Sequence, residues 1–140
     1  MSSPTFLEFH AAGLDLKFKV ALLANDNPDV VGQVVKRLPL ESVLGHVVIS
    51  GESFWLPTRI VHLGRSNMVP RTLGAVYLYA PGQTICLCYG SITESASINK
   101  FGQVVDSDLP ILRRLGEFVY EQTVANPRRN LVRIAVRGAA

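Results

Sequence analysis

The spacing of apolar residues changes period several times along the chain. Leu14, Leu16, Phe18 and Val20 alternate with Asp15, Lys17 and Lys19, and a period of two predicts a half-buried strand over Leu14–Leu22. A strand over Thr5–His10 precedes it, joined through Ala11-Ala12-Gly13. The period then lengthens. Val30, Val31, Val34, Val35 and Leu38 share one helical face, with Gln33, Lys36 and Arg37 outside. Asn27 caps this helix, Pro28 fits its first position, Asp29 complements the dipole and Pro39 ends it. Short apolar runs predict strands over Val43–Ser50, Ser53–Leu56 and Arg59–Leu63, with Gly51-Glu52 as a turn and Gly64–Pro70 as a polar loop.

The stretch Arg71–Gly90 reads as the central β-hairpin. Pro81-Gly82 divides two apolar arms, and Pro followed by Gly predicts a type II turn with Gly82 at positive φ. Both faces of the arms are apolar. Val76, Leu78, Ile85, Leu87 and Tyr89 occupy one, and Tyr77, Tyr79, Cys86 and Cys88 occupy the other. Such a hairpin requires cover on both sides, and a symmetric dimer is the expected source of the outer cover. The polar loop Ser91–Asn99 and Lys100 follow, then a short strand over Gly102–Val105. Asp106-Ser107-Asp108 opens a second helix reaching Val124, with Ile111, Leu112, Leu115, Phe118 and Val119 as its apolar stripe. A last strand runs from Leu131 to Arg137, with Gly138-Ala139-Ala140 as a tail. So many strands in so short a chain must hide their edges. A closed, mainly antiparallel β-barrel with two capping helices does so, and residues 1–140 are expected to form one domain.

Composition narrows the functional classes. A hydrophobic fraction of 48% against 18% charged provides a full core and argues against disorder. The net charge of +3 is scattered, with no basic run longer than two residues, so no nucleic-acid partner is expected. The N-terminus lacks a signal-peptide pattern and no apolar run approaches the ~20 residues of a membrane helix. A soluble cytoplasmic protein without a membrane partner is the expectation. Cys86 and Cys88 are two residues apart on one strand face, which disfavours a mutual disulfide. With no further ligand pair, and no metal-ligand spacing among three histidines, neither a metal nor another cofactor is expected.

Several positions carry a family resemblance: Asn27-Pro28, Leu38-Pro39-Leu40, His46, Ser50-Gly51-Glu52, Trp55, Ala80-Pro81-Gly82 and Tyr89-Gly90. Over roughly Leu16–Val136 the sequence resembles a bacterial cyclophilin-like group of small proteins related to the cucumopine and mikimopine (opine) synthases. The resemblance implies a cyclophilin-like barrel. It also implies a small-molecule enzyme, since those synthases condense histidine with 2-oxoglutarate through an imine. Prolyl isomerase activity is not implied. True cyclophilins carry Phe-His-Arg and a Gln-Gly-Gly segment, whereas Phe9-His10 is followed here by Ala11-Ala12.

The candidate residues have two readings each. His46, held in an apolar strand, is either a general base or a packed histidine satisfied by backbone. Glu52 orients His46 or grips a substrate amine, or is a solvated turn carboxylate. Lys100 stabilises negative charge or forms an imine, or is a surface lysine. These three are the catalytic candidates. Trp55 stacks a ligand or packs. Arg59 and Arg71 offer forks for a substrate carboxylate, or are simply exposed. Tyr89 and Glu94, with Lys100, bracket a loop long enough to bind a ligand. The expectation is therefore an amino-acid-like or heterocyclic carboxylate, processed by imine condensation or proton transfer near His46, Glu52, Arg59 and Lys100. The alternative is a non-catalytic ligand- or protein-binding module.

Overall fold

A computed structural model describes residues 3–140. Strands β1 (Phe6–Ala11) and β2 (Leu16–Leu22) precede helix α1 (Pro28–Val35). Then come β3 (Leu40–Val43), β4 (Gly45–His46), β5 (Gly51–Pro57), β6 (Met68–Val69), β7 (Ala75–Tyr79), β8 (Thr84–Ile92) and β9 (Ile98–Val104). Helix α2 (Leu109–Tyr120) runs into a π-helical turn, Glu121–Ala125, and β10 (Arg133–Ala139) ends the fold. All pairings are antiparallel, in the order β3-β10-β1-β2-β9-β7-β8-β5-β4, with β6 added to β9. The two ends of that order are consecutive in sequence. Between them Leu44 is buried and donates its N–H to Val132 O at 2.8 Å, so the chain itself nearly closes the barrel. The expected mainly antiparallel barrel with two helices is the observed architecture.

The core fills the side of the sheet that faces the helices. Phe9, Phe18, Phe54 and Phe101 are fully buried there with Val30 and Val34 of α1 and Leu112, Leu115 and Val119 of α2. Glycine on α2 sets how closely the helix approaches. A Cβ on Gly116 would lie 2.2 Å from the Tyr89 ring, whereas one on Gly32 of α1 would meet nothing within 4 Å. The same substitution therefore has opposite signs. Gly32→Ala should stabilise by about 0.5–1 kcal/mol through helix propensity. Gly116→Ala should destabilise by about 1–2 kcal/mol, because the gain in propensity is smaller than the cost of displacing a packed ring. Urea denaturation of the two variants checks both signs.

Three local expectations are corrected. The run Val43–Ser50 is not one strand: it breaks at Leu44, where the chain passes from β3 to β4 at the other end of the strand order, and β4 stops at His46, leaving Val48 and Ile49 exposed in the connection that reverses the chain into β5. Arg59–Leu63 forms no strand. The Thr58 hydroxyl accepts from Ile60 N–H at 3.1 Å, a local bond that competes with strand pairing. The central turn is a 3₁₀ turn, Ala80–Gly82, and the positive φ falls on Gln83 (52°), whose N–H bonds Ala80 O. The β1–β2 hairpin repeats that geometry, with Asp15 at φ 52°. A three-residue turn closed by one left-handed residue matches the twist of both hairpins, so Gly82 is not the residue that reverses the chain.

The outer face of the hairpin is covered from within the chain. Ala75, Tyr77, Cys86, Cys88 and Ile98 form a second buried cluster with Val69 of β6 and Trp55 packed on it. The requirement that had argued for a dimer is thus met by one chain, apart from Tyr79, which is 51% exposed. No helix among the described residues is long and apolar enough to cross a membrane.

Candidate functional site

Strand alternation sorts the sequence-derived site residues onto opposite faces. In the β4–β5 pair, His46 lies opposite Phe54 and Gly45 opposite Trp55. Phe54 points into the helix-side core and Trp55 into the outer cluster. A Cβ on Gly45 would lie 2.4 Å from the Trp55 ring, so Gly45 is the space that the indole occupies. Two clefts result, one on each face, and Val47 lines both.

The outer cleft has a volume of about 530 Å³. Trp55, Tyr77 and Tyr79 give it aromatic walls, and Arg71, Glu94, Thr84 and Cys86 supply polar groups. The Arg71 side chain is only 9% exposed. Its Nη1 donates to Ala96 O at 2.7 Å, its Nη2 lies 3.5 Å from Glu94 Oε2, and its guanidinium sits 5.5 Å from the Tyr77 ring centre. Its Nε–H is buried with no protein acceptor among the described residues. A buried charged donor left unpaired is costly. Burial pushes the Cys86 thiol up to about 11 and also raises the Tyr77 phenol, so both are protonated near neutral pH. An adjoining cleft of about 440 Å³ shares Arg71, Tyr77, Tyr79 and Glu94 and adds Arg65 at its wall.

The helix-side cleft, about 640 Å³, lies between the β4–β5 segment, β8 and α2. His46 Nδ1 contacts Val47 O, which fixes that nitrogen as the N–H donor, and Nε2 then accepts from the Tyr89 hydroxyl at 2.7 Å. Tyr120 meets the imidazole edge-on at 5.1 Å. Glu52 accepts from Ser91 N–H at 2.9 Å and lies 3.6 Å from Arg113. Gly90 leaves room for this pair, since a Cβ there would lie 2.2 Å from Glu52 Oε1. The Ser91 amide, then Arg113, hold the Glu52 carboxyl below its usual range, and burial pushes Tyr89 up to about 12.

Burial also lowers the His46 pKa, against the Val47 carbonyl and the Glu52 charge, which raise it. The unfolded chain therefore takes up the proton at a higher pH than the folded one. The stabilising contribution is complete above the unfolded value of 6.5 and is lost as pH falls through that value toward the lowered folded one. Thermal midpoints measured from pH 7.5 to 5 should fall in the native protein, and His46→Gln should flatten that part of the slope.

The remaining candidates stand apart. Arg59 is exposed in a separate groove with Arg37 and Glu41. Lys100 pairs with Tyr77 across β7–β9 and its ammonium pKa is lowered by burial, yet it lines neither cleft. The expected grouping of His46, Glu52, Arg59 and Lys100 is therefore not assembled. His46, Glu52 and Tyr89 come together on the helix side, and Trp55, Arg71 and Glu94 on the outer side. Sequence reading missed Tyr77, Tyr79 and Thr84 as cleft residues, although their outward phase on the hairpin was legible.

No protein-family model matches the sequence, and no curated protein does. Solved structures do. McbB, determined in complex with tryptophan, aligns with 96% of this chain at a TM-score of 0.85 and 19% identity. This chain spans 45% of the length of McbB. The solution structure of the hypothetical protein AF2241 from Archaeoglobus fulgidus aligns with 99% of this chain and 98% of its own, at a TM-score of 0.65 and 18% identity. At these identities the likeness is one of fold.

Proposed function

We propose that the outer cleft binds a small amino-acid-like or heterocyclic carboxylate. The buried Arg71 guanidinium with its unpaired Nε–H carries this reading. A carboxylate is the acceptor that suits an arginine fork. Trp55, Tyr77 and Tyr79 offer ring faces for an apolar or heterocyclic body, and Glu94, beside Arg71, suits an ammonium group. The tryptophan complex of McbB, whose fold this chain shares, supports a ligand of that class.

The chemistry proposed for the bound molecule is condensation of its amine with the carbonyl of a 2-oxo acid, forming the C=N bond and releasing the carbonyl oxygen as water, or proton transfer of the opine-synthase kind, with Glu94 taking up the proton that the substrate ammonium or carbon gives up. A non-catalytic binding module is the second reading. It is favoured by the pairing of Glu94, the one carboxylate lining the outer cleft among the described residues, with Arg71, which occupies the group best placed to act as a base. Calorimetric titration with tryptophan, histidine and 2-oxo acids tests binding, and mass spectrometry of amino-acid and 2-oxo-acid mixtures tests condensation. Saturable binding with no new mass decides for the module. Absence of binding by every carboxylate rejects both readings. A cytoplasmic homodimer belongs to the same proposal, and light scattering at micromolar concentration tests the assembly.

A further inference from the structure

The helix-side cleft is the chemical opposite of the outer one. Three of the side-chain donors that line it are already committed. His46 gives its N–H to Val47 O, Tyr89 gives its O–H to His46, and Thr93 gives its O–H to Ile49 O at 2.6 Å. Apart from the Tyr120 hydroxyl at the exposed wall, the side-chain groups that remain are acceptors. The Tyr89 oxygen belongs to a residue 3% exposed and receives no donor among the described residues. Glu52, Glu117 and Glu121 place three carboxylates against one nearby guanidinium, Arg113, which is shared between Glu52 and Glu117. Glu121 has no cationic partner among the described residues.

The wall suits a donor with an apolar body. Tyr120 is half exposed, and Val124 stands beside it on the cleft lining. Val124 lies within the π-helical turn at Glu121–Ala125, and Tyr120 immediately precedes it at the end of α2. The wider turn spaces residues differently from an α-helix, and such segments recur at functional sites. An aromatic face beside carboxylates is the setting in which an alkylammonium gains from cation–π contact and charge-assisted hydrogen bonds together.

From these observations we infer that the helix-side cleft is a second ligand site, for a small organic ammonium ion. Its N–H groups meet Glu117, Glu121 and the Tyr89 oxygen, and its apolar part lies against Tyr120 and Val124. The site is separate from the outer cleft, because these side chains come from β8, α2 and the π-helical turn on the helix side of the sheet, and Val47 is the residue common to the two linings.

The test is calorimetric titration of the full chain with phenethylammonium chloride, and with phenethyl alcohol as the neutral match of the same shape. The ammonium should saturate, and the alcohol should bind at least about tenfold more weakly. The double substitution Glu117→Gln, Glu121→Gln should weaken the ammonium about tenfold, and so should Tyr120→Ala. All three positions are on the protein surface, so folding should survive, and circular dichroism checks that it does. The same double variant should bind outer-cleft carboxylates as the native protein does, since Glu117 and Glu121 line only the helix-side cleft, which separates failure of this inference from failure of the outer-cleft reading. Equal binding of alcohol and ammonium, native affinity in the double variant, or absence of saturation overturns the inference.

Discussion

Arg71→Gln should remove carboxylate binding from the outer cleft, with a loss of about 3 kcal/mol, or roughly 100-fold in Kd. The size follows from what the side chain offers. The guanidinium is almost fully buried, it is oriented by Ala96 O and Glu94, and its Nε–H lacks a protein acceptor. Glutamine retains a polar amide but loses the charge and the fork. Arg71→Lys retains the charge without the fork and should recover less than tenfold of the lost affinity. Because Arg71 also holds the 93–97 loop through Ala96, Arg71→Gln should lower Tm by a few degrees. Calorimetry with the best ligand of the panel measures the affinity. A variant that binds within threefold of the native protein would show that the carboxylate lies elsewhere.

Asn27→Ala should be the most damaging single change to the fold among those considered, at about 3 kcal/mol, or a fall in Tm of about 10 °C. Asn27 is fully buried. Its carbonyl oxygen accepts from Val30 N at 3.4 Å, a long capping bond to α1. Its amide donates to Asn99 Oδ1 at 2.8 Å and to Lys100 O at 2.9 Å. Asn99 in turn donates to Gly64 O and accepts from Asn67 N. One side chain thus joins the helix start, β9 and the segment that covers the outer face. An N-cap loss costs about 1 kcal/mol and each buried hydrogen bond about 1 more. Asn27→Asp keeps the cap and cannot donate to either carbonyl, so it separates the two contributions. Denaturation of the pair, read beside ligand affinity, measures both. A loss below about 1 kcal/mol in Asn27→Ala would mean that the network is not cooperative.

Local patterning was enough for α1, the β2 strand and the inward phase of β10. Val132, Ile134 and Val136 are buried while Arg133 and Arg137 stay outside, as a period of two requires. Asn27 and Pro28 marked the first helix start for the same reason: capping and the fixed φ of proline act within a few residues. Patterning failed where the deciding contacts are distant. The run Val43–Ser50 is apolar enough for one strand, yet its halves pair with β10 and β5 at opposite ends of the sheet. The polar segment before the hairpin contains β6 because β9 lies beside it.

The candidate site divides in the same way. From its residues alone the chain specified a barrel, the two-faced hairpin and a set of aromatic, basic and acidic side chains suited to a small charged ligand. Their separation into two clefts depends on the tertiary structure. Strand pairing sets Gly45 opposite Trp55 and His46 opposite Phe54, and neighbouring residues on a strand leave by opposite faces. Residues close together in sequence are thereby kept apart, while Arg71 and Glu94, or Glu52 and Arg113, are brought together from distant segments. Hydrophobic period is a property of each segment, but convergence of polar groups is a property of the register between segments. Only the folded barrel defines that register.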